Sequence, residues 1–171
     1  MKKKSLVWIV LLCVCFMMVG VGLLIPIKSE ESVKLHALMI CDGESETQST
    51  NITIAGTWTR SIAIPDRQSF TGKIQIDSLD YTHQENSWDL NFQLTDDITV
   101  NCLSGGFFYN DSDSDFTGYG WLYTNKEHDY YVIVTNQFNN ENEDYIVIAP
   151  AEIDADAKQI CEAMGLHYFD E

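Results

Sequence analysis

Basic residues are scarce in this sequence, and their scarcity excludes one class of partner. The chain has 10 lysine and arginine residues against 26 aspartate and glutamate residues. Three of the basic residues are Lys2, Lys3 and Lys4, so the part after Ile27 has seven basic and all 26 acidic residues, a formal charge of −19. Nucleic acids and anionic lipid headgroups require a cationic footprint and would be repelled by this field. We expect no nucleic-acid partner, whereas cationic partners, divalent metal ions and simple solubility stay open.

The sequence also lacks the local signatures of the common catalytic sites. It contains no nucleophile elbow, no reactive-cysteine signature and no glycine-rich phosphate loop, and residues 104–106 (Ser-Gly-Gly) are predicted to form a turn. The four histidines have no spacing that suggests a zinc site. Carboxylates are so numerous that a pair such as Asp77 and Asp89 is weak evidence for a glycosidase-like catalytic site. We expect a non-catalytic protein, with a hydrolase whose carboxylates meet only in the fold as the alternative.

One segment has no charged side chain at all. Residues 5–27 are almost entirely apolar and follow the three lysines. About 20 helical residues cross a hydrocarbon core roughly 30 Å thick, and flanking lysines stay in the cytoplasm. The sequence therefore predicts a membrane anchor over residues 1–27, with the domain on the outer face. The alternative is a cleaved signal peptide with its cleavage site at residues 20–22 (Gly-Val-Gly), followed by secretion.

Cysteines are few, and their spacing does not suggest a disulfide framework. Two lie in the apolar segment, which leaves Cys41, Cys102 and Cys161 in the rest of the chain. One pair of these could form a disulfide in an oxidising compartment, and the sequence does not indicate which pair. We favour three buried thiols because the number is odd and the spacing is wide.

Alternation of apolar and polar residues dominates the chain beyond a polar spacer at residues 28–33. This period of two is typical of strands with one buried face. Because the strands follow one another closely, we expect antiparallel pairing in one domain over residues 34–171, folded as a β-barrel or a sandwich. The predicted strands are residues 35–41, 52–62, 73–78, 88–95, 98–103, 119–124, 130–135 and 145–149.

The only predicted helix of this domain spans residues 151–164. Pro150 precedes it and Gly165 follows it, as is common at helix ends. One face is apolar, so the helix is expected to cover one face or one mouth of the sheet. That face consists of Ile153, Ala157, Ile160, Cys161 and Met164.

Three alternating aspartates suggest a calcium site. Asp111, Asp113 and Asp115 lie in a turn and resemble the opening of an EF-hand loop. Counted from Asp111, however, Phe116 replaces the glycine at position 6 and Leu122 replaces the glutamate at position 12. A solvated hairpin loop is the simpler interpretation, and no other cofactor is indicated.

Aromatic residues supply the best candidate for a binding surface. Tyr119, Trp121 and Tyr123 alternate along one strand and share one face of it beside the aspartate loop. Aromatic faces with polar tips suit recognition of proteins or glycans. We therefore expect a binding module for a protein, glycan or small ligand that uses these three residues. A structural or accessory subunit of a cell-envelope assembly is a further alternative.

Overall fold

Eight strands and one helix follow the apolar alternation of the sequence. The computed structural model describes residues 12–13, 25–41, 47–64, 67–83, 90–97, 102–110, 116–137 and 144–167. Each strand pairs antiparallel with the next, and β8 pairs with β1, which closes the barrel. The elements are β1 Pro26–Cys41, β2 Thr47–Ser61, β3 Arg67–Ile76, a 3₁₀ turn Asp80–Thr82, β4 Leu90–Asp97, β5 Cys102–Asn110, β6 Phe116–Thr124, β7 Tyr131–Gln137, β8 Tyr145–Ala149 and α1 Asp154–Met164.

The strand order gives the barrel two distinct ends. The lower end contains the start of β1 and the β2–β3, β4–β5 and β6–β7 connections. The upper end contains the other connections, including the 3₁₀ turn between β3 and β4. Tyr81 of this turn is buried at the upper end, and its hydroxyl lies 3.0 Å from Thr135 Oγ1. Burial raises the pKa of Tyr81 to about 12, so its hydroxyl stays protonated in the folded barrel.

The interior of the barrel is filled by large side chains. A chain of contacting aromatic rings crosses from β2 to β5, each ring tilted against the next. The centroid distances are 4.7 Å for Trp58–Phe70, 5.6 Å for Phe70–Phe92, 4.9 Å for Phe92–Phe107 and 5.3 Å for Phe107–Tyr109. Aliphatic residues such as Ile52, Ile54 and Leu122 fill the space around them. The barrel is therefore a packed core, as its inward-facing positions predict.

Strand β5 differs from its prediction. The predicted strand 98–103 coincides with β5, which runs from Cys102 to Asn110, at residues 102–103, and residues 98–101 lie outside the described part of the chain. Residues 104–106 lie inside β5 rather than in a turn. The glycines of this segment allow close packing. A Cβ atom at Gly106 would lie 2.8 Å from Cε3 of Trp121 on β6, so the indole occupies the space that a side chain would take.

The start of the sheet also lies earlier than predicted. Residues 28–33, assigned above to a polar spacer, belong to β1 and pair with β2, from Lys28 with Thr59 to Val33 with Ile54. Pro26 and Ile27, the last residues of the apolar segment, are strand residues as well. Most of residues 5–27 lie outside the described part of the chain. Within the part that is described, the structure contains no helix with the length and apolarity needed to cross a membrane.

Helix α1 packs against the outside of the barrel. It therefore covers a face of the sheet rather than a mouth, which is one of the two predicted placements. Its residues Ala157, Ile160, Cys161 and Met164 are buried with Leu38, Val132 and Ile148 of the sheet. The carboxylate of Asp156 accepts hydrogen bonds from the N–H groups of Glu152 and Ile153, which stabilises the first turn. Gly165 ends the helix with a φ of 73°. Ile153 differs from the prediction: it precedes the helix and is 59% exposed.

Candidate functional site

The three aromatic residues predicted as a binding cluster share the outer face of β6. Trp121 is 45% exposed, whereas Tyr119 and Tyr123 are half-buried. Tyr123 packs against the hydrophobic cluster between α1 and the sheet, so we assign it to that cluster and not to the binding surface. On the neighbouring strand, Phe108 lies opposite Tyr119 and is 56% exposed. We call Phe108, Tyr119 and Trp121 the outer aromatic patch.

The indole of Trp121 contacts the neighbouring strand β5. Its six-membered ring packs over Gly106, the residue directly opposite on β5. On the other side it neighbours the half-buried Val134 of β7. Covering a strand glycine with an aromatic ring stabilises a sheet, which accounts for this contact. The rest of the side chain meets solvent, since Trp121 is 45% exposed.

A hydrogen-bonding edge borders the patch toward the upper end. The hydroxyl of Tyr119 donates to Oδ1 of Asp144 at 2.9 Å, and Nδ2 of Asn136 donates to the same oxygen at 3.0 Å. The hydrogen bond to the Asp144 carboxylate raises the pKa of Tyr119. The patch thus combines apolar ring faces with a carboxylate that is held in place by two neighbours.

A second constellation, not predicted from the sequence, lies at the lower mouth of the barrel. Oε1 of Glu31 accepts a hydrogen bond of 2.7 Å from the hydroxyl of Tyr131, and Oε2 accepts one from Nε1 of Trp58. Burial, followed by the hydrogen bond to Glu31, raises the pKa of Tyr131. Together with Gln68 and His128, these residues form what we call the mouth cluster.

His128 closes this cluster from the β6–β7 connection. Its ring lies 4.1 Å from the Trp58 ring, centroid to centroid, and its Nε2 lies 2.8 Å from Oε1 of Gln68. The backbone of His128 is left-handed, with a φ of 61°, a conformation that non-glycine residues seldom adopt. Oδ1 of Asn125 accepts hydrogen bonds from the N–H groups of Asp129 and Tyr130 and so holds the turn around it. Burial lowers the pKa of His128, while Glu31 acts in the opposite direction.

The chemistry of the mouth cluster is that of a structural network. Both oxygens of Glu31 accept hydrogen bonds from neighbouring side chains, and His128 is neutral at pH 7 because its pKa is lowered. No sequence signal connects Glu31 with Tyr131, which lies 100 residues away. The fold alone brings the two residues together.

The remaining predicted site residues are placed as follows. Asp111, Asp113 and Asp115 lie outside the described residues, so the calcium hypothesis stays a prediction. Among the residues that the structure describes, no group of three or more His, Cys, Asp or Glu side chains is placed to hold a metal ion. Asp77 binds Lys34 at 2.8 Å and Asn51 at 3.0 Å, and these hydrogen bonds lower its pKa, whereas Asp89 is not described.

The three cysteines of the domain are present as thiols. Cys102 and Cys161 are buried in the cluster between α1 and the sheet, and Cys41 is half-buried. Burial raises the pKa of Cys161 to about 12, so this thiol is unreactive at neutral pH.

A shallow groove lies beside α1, between Tyr130, Pro150 and Ile160. Its volume of about 200 Å³ is below the range of roughly 300–1,000 Å³ that is typical of small-molecule sites. Of the features described above, the outer aromatic patch is therefore the best candidate for binding. Comparison of the chain with protein-family models, with curated proteins and with solved structures finds no match.

Proposed function

We propose that this protein is a non-catalytic binding module, held on the outer face of a membrane by residues 5–27, that binds a glycan through the outer aromatic patch. The observation that carries the proposal is the Trp121 indole, which packs over Gly106 and yet is 45% exposed. A flat aromatic face suits the flat C–H face of a sugar ring.

The composition of the patch favours a sugar over a folded protein. Its three side chains are only partly exposed, and a fully buried aromatic side chain contributes about 150–250 Å². The patch therefore offers a few hundred Å², whereas a stable protein interface buries about 800 Å² on each partner. The Asp144 carboxylate beside Tyr119 supplies an acceptor at the edge, where a sugar presents its hydroxyl groups.

The charge of the domain narrows the class of glycan. The part of the chain after Ile27 has a formal charge of −19 and repels anionic polymers. A neutral oligosaccharide avoids this repulsion. We therefore expect binding of uncharged sugars rather than of phosphate-containing or uronic-acid polymers.

The test uses the full chain in lipid nanodiscs, applied to an array of neutral oligosaccharides built from glucose, mannose or N-acetylglucosamine. We expect binding by the parent, at least tenfold weaker binding by Trp121→Ala and an intermediate effect for Trp121→Phe, because full burial of a large apolar side chain contributes about 1.5–3 kcal/mol and tenfold corresponds to about 1.4 kcal/mol. Ile153→Ala is the matched control, since it removes an exposed apolar side chain elsewhere. Thermal melts of each variant establish that the barrel is intact. Equal binding by Trp121→Ala and the parent, or no binding by the parent, contradicts the proposal.

Membrane attachment has a separate test. After expression with its native N-terminus, the protein is expected in the membrane fraction with residues 1–27 intact. A soluble mature protein that starts near Leu23 would show instead that the segment is a cleaved signal peptide.

A further inference from the structure

Four exposed isoleucines lie together at the lower end of the barrel. Ile25, Ile27, Ile62 and Ile64 are 59%, 44%, 47% and 51% exposed. Large aliphatic side chains with this exposure are unremarkable singly, but a contiguous group marks a contact surface. We call these residues the isoleucine tip.

The pairing of β1 with β2 brings the two halves of the tip together. Pro26 lies opposite Ser61 and Ile27 lies opposite Arg60, so the start of β1 is adjacent to the connection that carries Ile62 and Ile64. This connection is held by hydrogen bonds. The N–H of Ala63 donates to Oγ of Ser61, and the N–H of Arg67 donates to the carbonyl of Ile64, both at 3.2 Å.

Basic side chains flank the tip, and acidic side chains such as Glu30 and Asp129 lie at the same end of the barrel. Lys28, Arg60 and Arg67 are exposed beside it, and they are three of the seven basic residues after Ile27. The net charge of the domain disfavours contact with anionic lipid, but screening limits each charge to a range of about 8 Å at physiological ionic strength. The three basic side chains therefore act on lipid that lies within this distance of the tip. Aliphatic side chains flanked by basic residues are typical of surfaces that enter a membrane interface.

The sequence places the tip next to the membrane. Ile25 directly follows the uncharged run of residues 5–24, and one residue of extended chain spans at most about 3.6 Å. If the apolar segment stays in the bilayer, the tip is within a few ångström of the lipid headgroups. We propose that the isoleucine tip inserts into the outer interface of this same membrane and that its basic residues bind lipid phosphates. This inference rests on the proposed membrane attachment.

The experiment measures the depth of a tryptophan introduced at the tip. Full-length Ile64→Trp is reconstituted in vesicles of phosphatidylcholine mixed with phosphatidylglycerol, and its emission is compared with that of the parent. The added emission is expected to be quenched by lipids brominated on the acyl chain about twofold more than at a solvent-exposed position, and to be protected from iodide. The same measurement after Lys28, Arg60 and Arg67 are changed to Gln is expected to show weaker quenching by bromolipid.

Ile153→Trp is the matched control. Ile153 is similarly exposed. The N–H of Ala151, two residues before it, donates to the carbonyl of His36, which lies ten strand residues or about 33 Å along β1 from Pro26. Its added emission is expected to be quenched by iodide and not by bromolipid.

Each alternative outcome is distinguishable. Equal iodide quenching of Ile64→Trp and Ile153→Trp, in protein that remains with the vesicles, overturns the tip inference while attachment stands. Protection from iodide without bromolipid quenching means that the tip is covered by another copy of the chain, which also overturns it. Loss of the protein from the vesicles refutes the proposed attachment, and with it the inference.

Discussion

Glu31 is the residue whose removal tests the mouth cluster most directly. Its carboxylate accepts hydrogen bonds from Trp58 and Tyr131, which are 3% and 1% exposed. Hydrogen bonds to a charged group contribute about 1.5–3 kcal/mol each when buried, and Glu31 itself is half-buried, so we take about 1 kcal/mol for each. Glu31→Ala is therefore expected to lower the free energy of unfolding by about 2 kcal/mol. For a domain of this size the melting temperature would fall by about 6–8 °C.

The matched control keeps the shape of the side chain. In Glu31→Gln the amide oxygen accepts from Trp58 and the amide nitrogen donates to the hydroxyl of Tyr131, which can accept as well as donate. We expect this variant to lose less than about 1 kcal/mol. Tyr131→Phe removes one hydrogen bond, and its effect combined with Glu31→Ala should be smaller than the sum of the two.

The measurement is urea denaturation followed by circular dichroism, with the slope of the transition checked for each variant. A stability of Glu31→Ala within about 0.5 kcal/mol of the parent would refute the reasoning, because such a value is typical of a surface substitution. Glu31 would then be a solvated side chain with no role in holding the mouth.

Three further outcomes follow from the structure. Because burial lowers the pKa of His128 below 6.5, the unfolded chain binds more protons than the folded chain below that pH. Stability should therefore fall as the pH drops through about 6.5, and less steeply in His128→Gln. Urea midpoints at several pH values measure this difference. Gly120→Ala should cost about 1–3 kcal/mol in the same assay, because the ring of Phe107 occupies the space of the added methyl group. Cys161 should resist a thiol reagent at pH 8 in the folded protein and react in urea, as mass spectrometry of labelled peptides will reveal.

The predictable part of this fold is the part in which one face of a strand is buried. Alternation identified the central segments of β2, β4 and β6 because each places every second side chain in the core. A short apolar run identified β8, which is buried on both faces. Helix α1 was predictable from its apolar face and its terminal glycine. The closed barrel was one of two expected architectures, because alternation specifies a half-buried strand but not whether the sheet closes.

The errors have specific physical causes. Residues 104–106 resemble a turn because consecutive glycines are common there, but Gly106 serves to accommodate the Trp121 ring. Residues 28–33 resemble a spacer because most of their side chains are polar. They can nevertheless form a strand, because neighbouring elements cover little of this part of β1. In the described chain β8 pairs with β1 only at Leu38–Cys41, which leaves the beginning of β1 paired with β2 alone.

The mouth cluster could not be predicted for a different reason. Its members come from β1, β2, β3, the β6–β7 connection and β7, and no local pattern connects them. The outer aromatic patch was partly predictable, because Tyr119 and Trp121 share a strand face. Phe108 joins them only through the register of β5 against β6, which the sequence does not reveal.

The proposed glycan surface lies on the side of the barrel, and the proposed membrane contact lies at its lower end. The Asp144 edge of the patch precedes β8 at the upper end, whereas the isoleucine tip is at the lower end. A domain lying on its side would bring many of its 26 carboxylates within a screening length of the lipid phosphates. Standing on the tip, it keeps most of them farther away and places Lys28, Arg60 and Arg67 beside the lipid, where they offset the carboxylates at this end, such as Glu30 and Asp129. Electrostatics thus favours the same end-on orientation that presents Trp121 and Tyr119 to the medium, so the two proposals require one arrangement of the domain rather than two.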